Sequence, residues 1–172
     1  MVERIKGKVR DVPDFPKAGI LFKDITPVLQ DAATFAALVD LFAAHYADKN
    51  VEVIAGIESR GFVIGSALAY KMQTGLALVR KAGKLPWQTV KQSYSLEYGE
   101  DTLEMHKDAV HKGQRVLVVD DLLATGGTAH ATLGLINTLG AHVVGCAFAI
   151  ELGFLSGRKK LPGVDIFSLI TY

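Results

Sequence analysis

One stretch constrains this chain more than any other. Val116-Leu117-Val118-Val119 runs without a polar break into Asp120-Asp121, then into Leu122-Leu123-Ala124-Thr125-Gly126-Gly127-Thr128. A continuous apolar run rich in β-branched residues suits a short strand buried on both faces, since a strand with one wet face would alternate. The strand delivers two acids to the edge of its sheet. A loop of small residues follows, and the spacing predicts a helix over 127–139, with Ala129, Leu133, Ile136 and Leu139 on one side.

The same apolar pattern recurs at 53–57, 76–79, 142–150 and 165–170, so these segments read as strands as well. Helices are expected between them. One spans 62–72 and is rich in small residues. Another starts at the N-cap Asp31 and carries Phe35, Leu38, Val39, Phe42 and Tyr46 at helical spacing. Strands alternating with helices make an α/β chain with a central, mostly parallel sheet flanked by helices on both faces. With 172 residues, 1–172 fits a single domain. Ligands of such sheets bind beyond the carboxyl ends of the strands. The polar turns after Ile57, Val79 and Val119 all fall at that edge.

Two segments depart from the pattern. Residues 11–19 hold Pro13 and Pro16 and read as an irregular arm. Residues 82–110 are long and polar. The alternation of Val90, Gln92, Tyr94, Leu96 and Tyr98 suggests a β-ribbon turning at Gly99-Glu100-Asp101. Such an excursion is either a lid over a site or a solvated hairpin.

Charge and composition exclude several functions. The formal net charge is +1, so no global field draws the chain to nucleic acid or to an anionic membrane. Any affinity for phosphate must come from a local site. No apolar stretch approaches the ~20 residues of a membrane span, and residues 1–6 lack the apolar core of a signal peptide. The single cysteine, Cys146, lies in an apolar run and reads as a buried small hydrophobe, which suits a cytoplasmic protein. Gly-x-x-x-x-Gly-Lys-[Ser/Thr], Gly-x-Gly-x-x-Gly and Gly-x-Ser-x-Gly have no match. The five histidines show no metal-ligand spacing.

The acids and the loop suggest a joint chemistry. Gly126 and Gly127 let backbone approach a ligand closely. Free amides and the dipole at a helix N-terminus favour an anion there, and Thr125 and Thr128 add hydroxyl donors. The acids cannot serve that anion. They suit sugar hydroxyls, or a hydrated Mg²⁺ that takes few carboxylates plus substrate oxygens.

This stretch resembles the phosphoribosyl-pyrophosphate-binding motif of the type I phosphoribosyltransferases. The resemblance extends over nearly the whole chain to the adenine-using members. It is carried by Asp14-Phe15-Pro16, Gly19-Ile20-Leu21-Phe22-Lys23-Asp24-Ile25-Thr26-Pro27, Glu58-Ser59-Arg60-Gly61-Phe62, Arg80-Lys81 with Gly83-Lys84-Leu85-Pro86, Tyr94-Ser95-Leu96-Glu97-Tyr98, Glu151-Leu152 and Gly157-Arg158. It implies the family's fold, with a flexible β-ribbon lid and a small base-binding hood built from the N-terminal arm. The implied activity transfers phosphoribose from phosphoribosyl pyrophosphate to adenine, giving AMP and diphosphate, with Mg²⁺ held mainly through substrate near Asp120 and Asp121. A homodimer is implied as well.

The resemblance also assigns roles. Asp120 and Asp121 would hold the ribose hydroxyls, and Ala124, Thr125, Gly126, Gly127 and Thr128 the 5′-phosphate. A cis Glu58–Ser59 peptide would turn amides toward the pyrophosphate, with Arg60, Arg80, Lys81 and Lys84 beside it. Leu21, Phe22 and Lys23 would line the base pocket with Leu152 opposite, and Tyr98 would bind substrate. Glu97 is the expected proton-transfer group, with Glu104 a weaker candidate. Two readings stay open beside this one: the same chemistry on xanthine, hypoxanthine or guanine, and a non-enzymatic purine sensor. A DNA-binding sensor should carry a basic recognition helix in an extra domain.

Overall fold

The computed structural model describes residues 1–95 and 100–172, apart from the Ser95 side chain. The chain opens with α1 (Val2–Lys6), β1 (Arg10–Pro13), β2 (Leu21–Asp24), α2 (Thr26–Gln30) and α3 (Ala32–His45). It continues with β3 (Val53–Ile57), α4 (Arg60–Met72), β4 (Gly75–Lys81), β5 (Thr89–Ser95) and β6 (Glu100–His106). It closes with β7 (Arg115–Leu123), α5 (Gly127–Thr138), β8 (His142–Glu151) and β9 (Ile166–Thr171).

The main sheet has the order β5-β6-β4-β3-β7-β8-β9. Strands β4, β3, β7, β8 and β9 run parallel, and β6 joins β4 antiparallel. The expected mostly parallel sheet is therefore present. Alternation along its strands divides the core in two. Val53, Ala55, Ile57, Val116 and Val118 pack on one face with Leu133 and Ile136 of α5. Ile54, Leu117 and Val119 pack on the other with Leu38 and Phe42 of α3 and Ile64 and Leu68 of α4. Both faces are dry, which is why these strands read as continuous apolar runs.

Asp31 caps α3 as expected, accepting the Thr34 amide at 2.9 Å. The arm at 11–19 is more ordered than expected. β1 and β2 pair antiparallel, from Arg10 opposite Asp24 to Pro13 opposite Leu21, and Phe15–Pro16 is cis within the connection. The ribbon at 82–110 exists as β5 paired with β6, but its base is no free flap. Arg80 and Lys81 of β4 pair with Glu104 and Leu103 of β6, and Leu103 and Met105 are buried in the core.

Candidate functional site

β3 ends at Ile57, and the Glu58–Ser59 peptide just beyond it is cis, as the resemblance implies. α4 starts at Arg60 and crosses close to Val119 and Asp120 of β7. Gly61 makes that crossing possible. A Cβ on it would lie 2.7 Å from the Val119 carbonyl and 2.9 Å from Asp120 Oδ1. The Arg60 guanidinium consequently reaches Asp121, with Nε 2.5 Å from Oδ2. Asp120 Oδ1 accepts the Asp121 amide at 2.8 Å. Burial pushes the Asp120 carboxyl well above its ordinary value, and repulsion from Asp121 adds to the rise.

Three recesses lie in a row along this edge. The first, of about 70 Å³, lies within the loop after β7 and is lined by Ala124, Thr125, Gly126, Gly127 and Thr128 together with Asp120 and Phe148. Gly126 has φ +79° and α5 starts at the next residue, so amides at the helix N-terminus lack intrahelical acceptors. This recess suits one phosphate group. The second, of about 340 Å³, is lined by Glu58, Ser59, Arg60, Lys81, Asp120 and Asp121, with Tyr94, Asp101 and Leu103 from the ribbon. The third, of about 280 Å³, is lined by Val12, Phe15, Phe22, Asp24 and Arg60. Asp120 belongs to the first two recesses and Arg60 to the last two.

Cations gather beside the middle recess, held by acids. Arg80 Nε and Lys84 Nζ each lie 2.7 Å from the Glu58 carboxylate. Burial would raise the Glu58 pKa, but the bonds from Lys84 and Arg80 outweigh it and keep the group below its ordinary value. Lys81 Nζ pairs with Asp101 at 2.9 Å. Tyr94, which the resemblance gave no role, joins the ribbon to the phosphate loop, accepting from Thr128 Oγ1 at 3.4 Å.

Other expected residues lie around this row. In β2, the Phe22 and Asp24 side chains line the third recess, while those of Leu21 and Lys23 alternate away and leave only backbone on that side. Lys23 Nζ instead contacts Asp11 Oδ1 at 2.6 Å. Leu152 is partly buried against the core on the α3–α4 face. Glu104 is no free acid–base group. It is 2% exposed and accepts the amides of Lys84 at 3.1 Å and Leu85 at 3.0 Å. Burial alone would raise its pKa, yet these bonds and one from Thr89 hold it low. Glu97 and Tyr98 lie outside the described residues.

Two contributors had no assigned role. Asp24 faces the third recess and is bound by Arg10 at 3.1 Å and by the Thr26 amide at 2.9 Å. Gly157 backs the phosphate loop so closely that a Cβ there would collide with the Ala124 carbonyl and sit 3.1 Å from the Gly126 nitrogen. Only the dipeptide Gly157-Arg158 hinted at this in the sequence.

A recess at a helix N-terminus, a pair of acids and a recess walled by Phe22, in one row, fit what a phosphoribosyltransferase needs. The phosphoribosyl transferase domain model matches residues 24–165, and the chain belongs to that family. Its relatives within it are adenine phosphoribosyltransferases. The one from Geotalea uraniireducens is 53% identical over 171 residues, covering 99% of this chain and all of the relative. The crystal structure of adenine phosphoribosyltransferase from Thermoanaerobacter pseudethanolicus is 52% identical with a TM-score of 0.98 over the full length of both chains. The Saccharomyces cerevisiae enzyme, crystallised with an imino-altritol bisphosphate and adenine, is 40% identical with a TM-score of 0.94, covering 98% of this chain and 97% of that one.

Proposed function

We infer that the protein is an adenine phosphoribosyltransferase: it transfers the phosphoribosyl group of phosphoribosyl pyrophosphate to adenine, giving AMP and diphosphate. The observation that carries this reading is the row of three recesses joined by Asp120 and Arg60. Its order matches the product's connectivity: 5′-phosphate in the 124–128 loop, ribose over Asp120 and Asp121, and base against Phe22. One aromatic face is worth about 1–3 kcal/mol to a stacked base.

In the transfer, a ring nitrogen of adenine forms the new bond to the anomeric carbon as the bond to diphosphate breaks. Positive charge grows on the sugar and negative charge on the leaving group. Asp120 and Asp121 face the first, while Arg60, with Lys81, Arg80 and Lys84 alongside, answers the second. Such charges act more strongly where water is excluded, and the β5–β6 ribbon flanks the cleft through Tyr94 and Leu103. The proton lost by adenine goes to Glu97 in this proposal. An E97Q variant with unchanged turnover excludes that role.

Mg²⁺ belongs to the same proposal. Among the described residues no cluster of three or more His, Cys, Asp or Glu side chains is placed to hold a metal. Asp120 and Asp121 supply only two carboxylates, a donor set that fits an ion taking its remaining oxygens from substrate and water. When bound, Mg²⁺ would neutralise charge on the departing diphosphate.

A cytoplasmic location is supported by the lone buried thiol of Cys146, and among the described residues no helix is long and apolar enough to cross a membrane. Residues 1–172 are read as one catalytic domain because a single sheet carries both cores. A homodimer is supported by apolar side chains left uncovered on α4 and β4, where Val63 is 46% and Tyr70 89% exposed, and Leu76 and Leu78 are exposed as well.

The test is diphosphate release with Mg²⁺ and each of adenine, hypoxanthine, guanine and xanthine. Adenine is expected to give the highest kcat/KM. No product from adenine overturns the reading.

A further inference from the structure

We propose that Tyr172 is a positioning residue for the base, acting as a latch that seats the β1–β2 hairpin against the edge of the main sheet. The backbone fixes Tyr172 firmly. Its amide donates to the Glu151 carbonyl at 2.9 Å, and its carbonyl accepts from Gly153 at 3.0 Å. Its ring therefore stands at a set place beside β9. Lys23 Nζ lies 4.0 Å from the ring centroid and Lys6 Nζ lies 5.3 Å from it. The Lys23 side chain is only 11% exposed, so its ammonium makes its contacts with protein rather than with water. Asp11, its cross-strand partner in the hairpin, binds it at 2.6 Å, and the face of Tyr172 supplies the remaining attraction.

The consequence for the base follows from strand alternation. Lys23 faces Tyr172 on one side of β2, while Phe22 and Asp24 face the third recess on the other. Seating Lys23 on the ring thus fixes how far Phe22 stands over the recess, where Arg60 lies 5.6 Å from its ring. Among the described residues, Arg60 touches the hairpin on its recess side through the Phe22 ring, whereas Tyr172 holds the opposite side. The contacts of Arg10 with Asp24, Arg10 with Thr26, and Phe15 with Phe22 stay within the N-terminal arm and do not tie it to the sheet edge. The proposal rests on the reading of the third recess as the base site, and it concerns adenine binding rather than the donor or the chemical step.

Steady-state kinetics on Y172L and Y172F separate this role from a general loss of fold. Y172L removes the aromatic face and is expected to raise KM for adenine roughly fivefold or more, with kcat at saturation and KM for the donor each within about twofold. Y172F keeps the ring and should behave as wild type. An unchanged adenine KM in Y172L, or equal rises in both KM values, overturns the latch. Hydrogen exchange decides the matter without relying on which base is the substrate, or on Y172L being active. Amides of 10–13 and 21–24 should exchange faster in Y172L while those of β3 and β7 keep their protection. Equal exchange in the hairpin of both proteins overturns the proposal even if adenine turnover proves absent in the wild type.

Discussion

Gly61→Ala is the substitution whose outcome the structure determines most sharply. On an ordinary helix this change stabilises by about 0.4–1 kcal/mol, through lost unfolded-state freedom and better helix propensity. Here the added Cβ would lie 2.7 Å from the Val119 carbonyl oxygen, 2.9 Å from Asp120 Oδ1 and 3.2 Å from Asp120 Cα. Two of those three atoms are backbone of β7, which is locked between β3 and β8. The helix must therefore move, and Ile64 and Leu68 on its buried face move with it. Overpacking of this kind costs roughly 1–3 kcal/mol. Set against the propensity gain, the net effect is a loss of about 1 kcal/mol, within roughly 0–2.6 kcal/mol, where the unobstructed case gives a gain. Because Arg60 is the neighbouring residue, its 2.5 Å contact with Asp121 should be lost as well. Urea unfolding and kcat/KM on the same preparation check both parts. We expect lower stability, and kcat/KM down about tenfold or more. A variant at least as stable as wild type, with full activity, refutes the claim that helix α4 is pressed against the acids.

Three further outcomes follow from the same geometry. Asp120→Asn should raise Tm at pH 7 while cutting kcat/KM on the order of 10²-fold. The Asp120 pKa is raised on folding, so the ionised carboxylate opposes folding above its unfolded value of 3.8, and the Asn variant's advantage should vanish as pH falls below that value; thermal melts across pH check the sign. Glu104→Gln should destabilise by about 1–3 kcal/mol at pH 7, because amides of Lys84 and Leu85 lose a charged acceptor. The Glu104 pKa is lowered on folding, so its contribution is full above the unfolded value of 4.5 and fades as pH falls through the lower folded value. Denaturant melts of both proteins should converge in acid. Gly157→Ala should push the Ala124–Gly126 backbone outward and raise KM for the donor more than KM for adenine, about tenfold against less than twofold.

Much of this molecule is legible in its sequence where burial on both faces leaves an unbroken apolar signal. β3 was readable to the residue for that reason, and the acids after Val119 were readable because nothing in a buried strand explains two carboxylates followed by small residues. Other features depend on contacts between distant segments. The pairing of β1 with β2 is hidden because Pro13 and Pro16 signal irregularity, while the register joining Arg10 to Asp24 is set across the intervening loop. α1 and α2 are five residues each, too short for periodicity to appear. Glu104 resembles any acid on a polar ribbon until the fold wraps the 83–85 backbone around it. Gly157 and Tyr172 acquire meaning only from what they touch more than 30 residues away in the chain, at Ala124 and Lys23 respectively.

The central claim is that one sugar phosphate is gripped at both ends, by amides of the 124–128 loop and by the paired acids. A crystal structure of the protein with phosphoribosyl pyrophosphate and Mg²⁺ tests it most directly. The account predicts the 5′-phosphate within hydrogen-bonding distance of the amides around Gly126 and Gly127, with both ribose hydroxyls on Asp120 and Asp121. Donor bound with its 5′-phosphate elsewhere, or with its hydroxyls turned away from the two aspartates, contradicts the account.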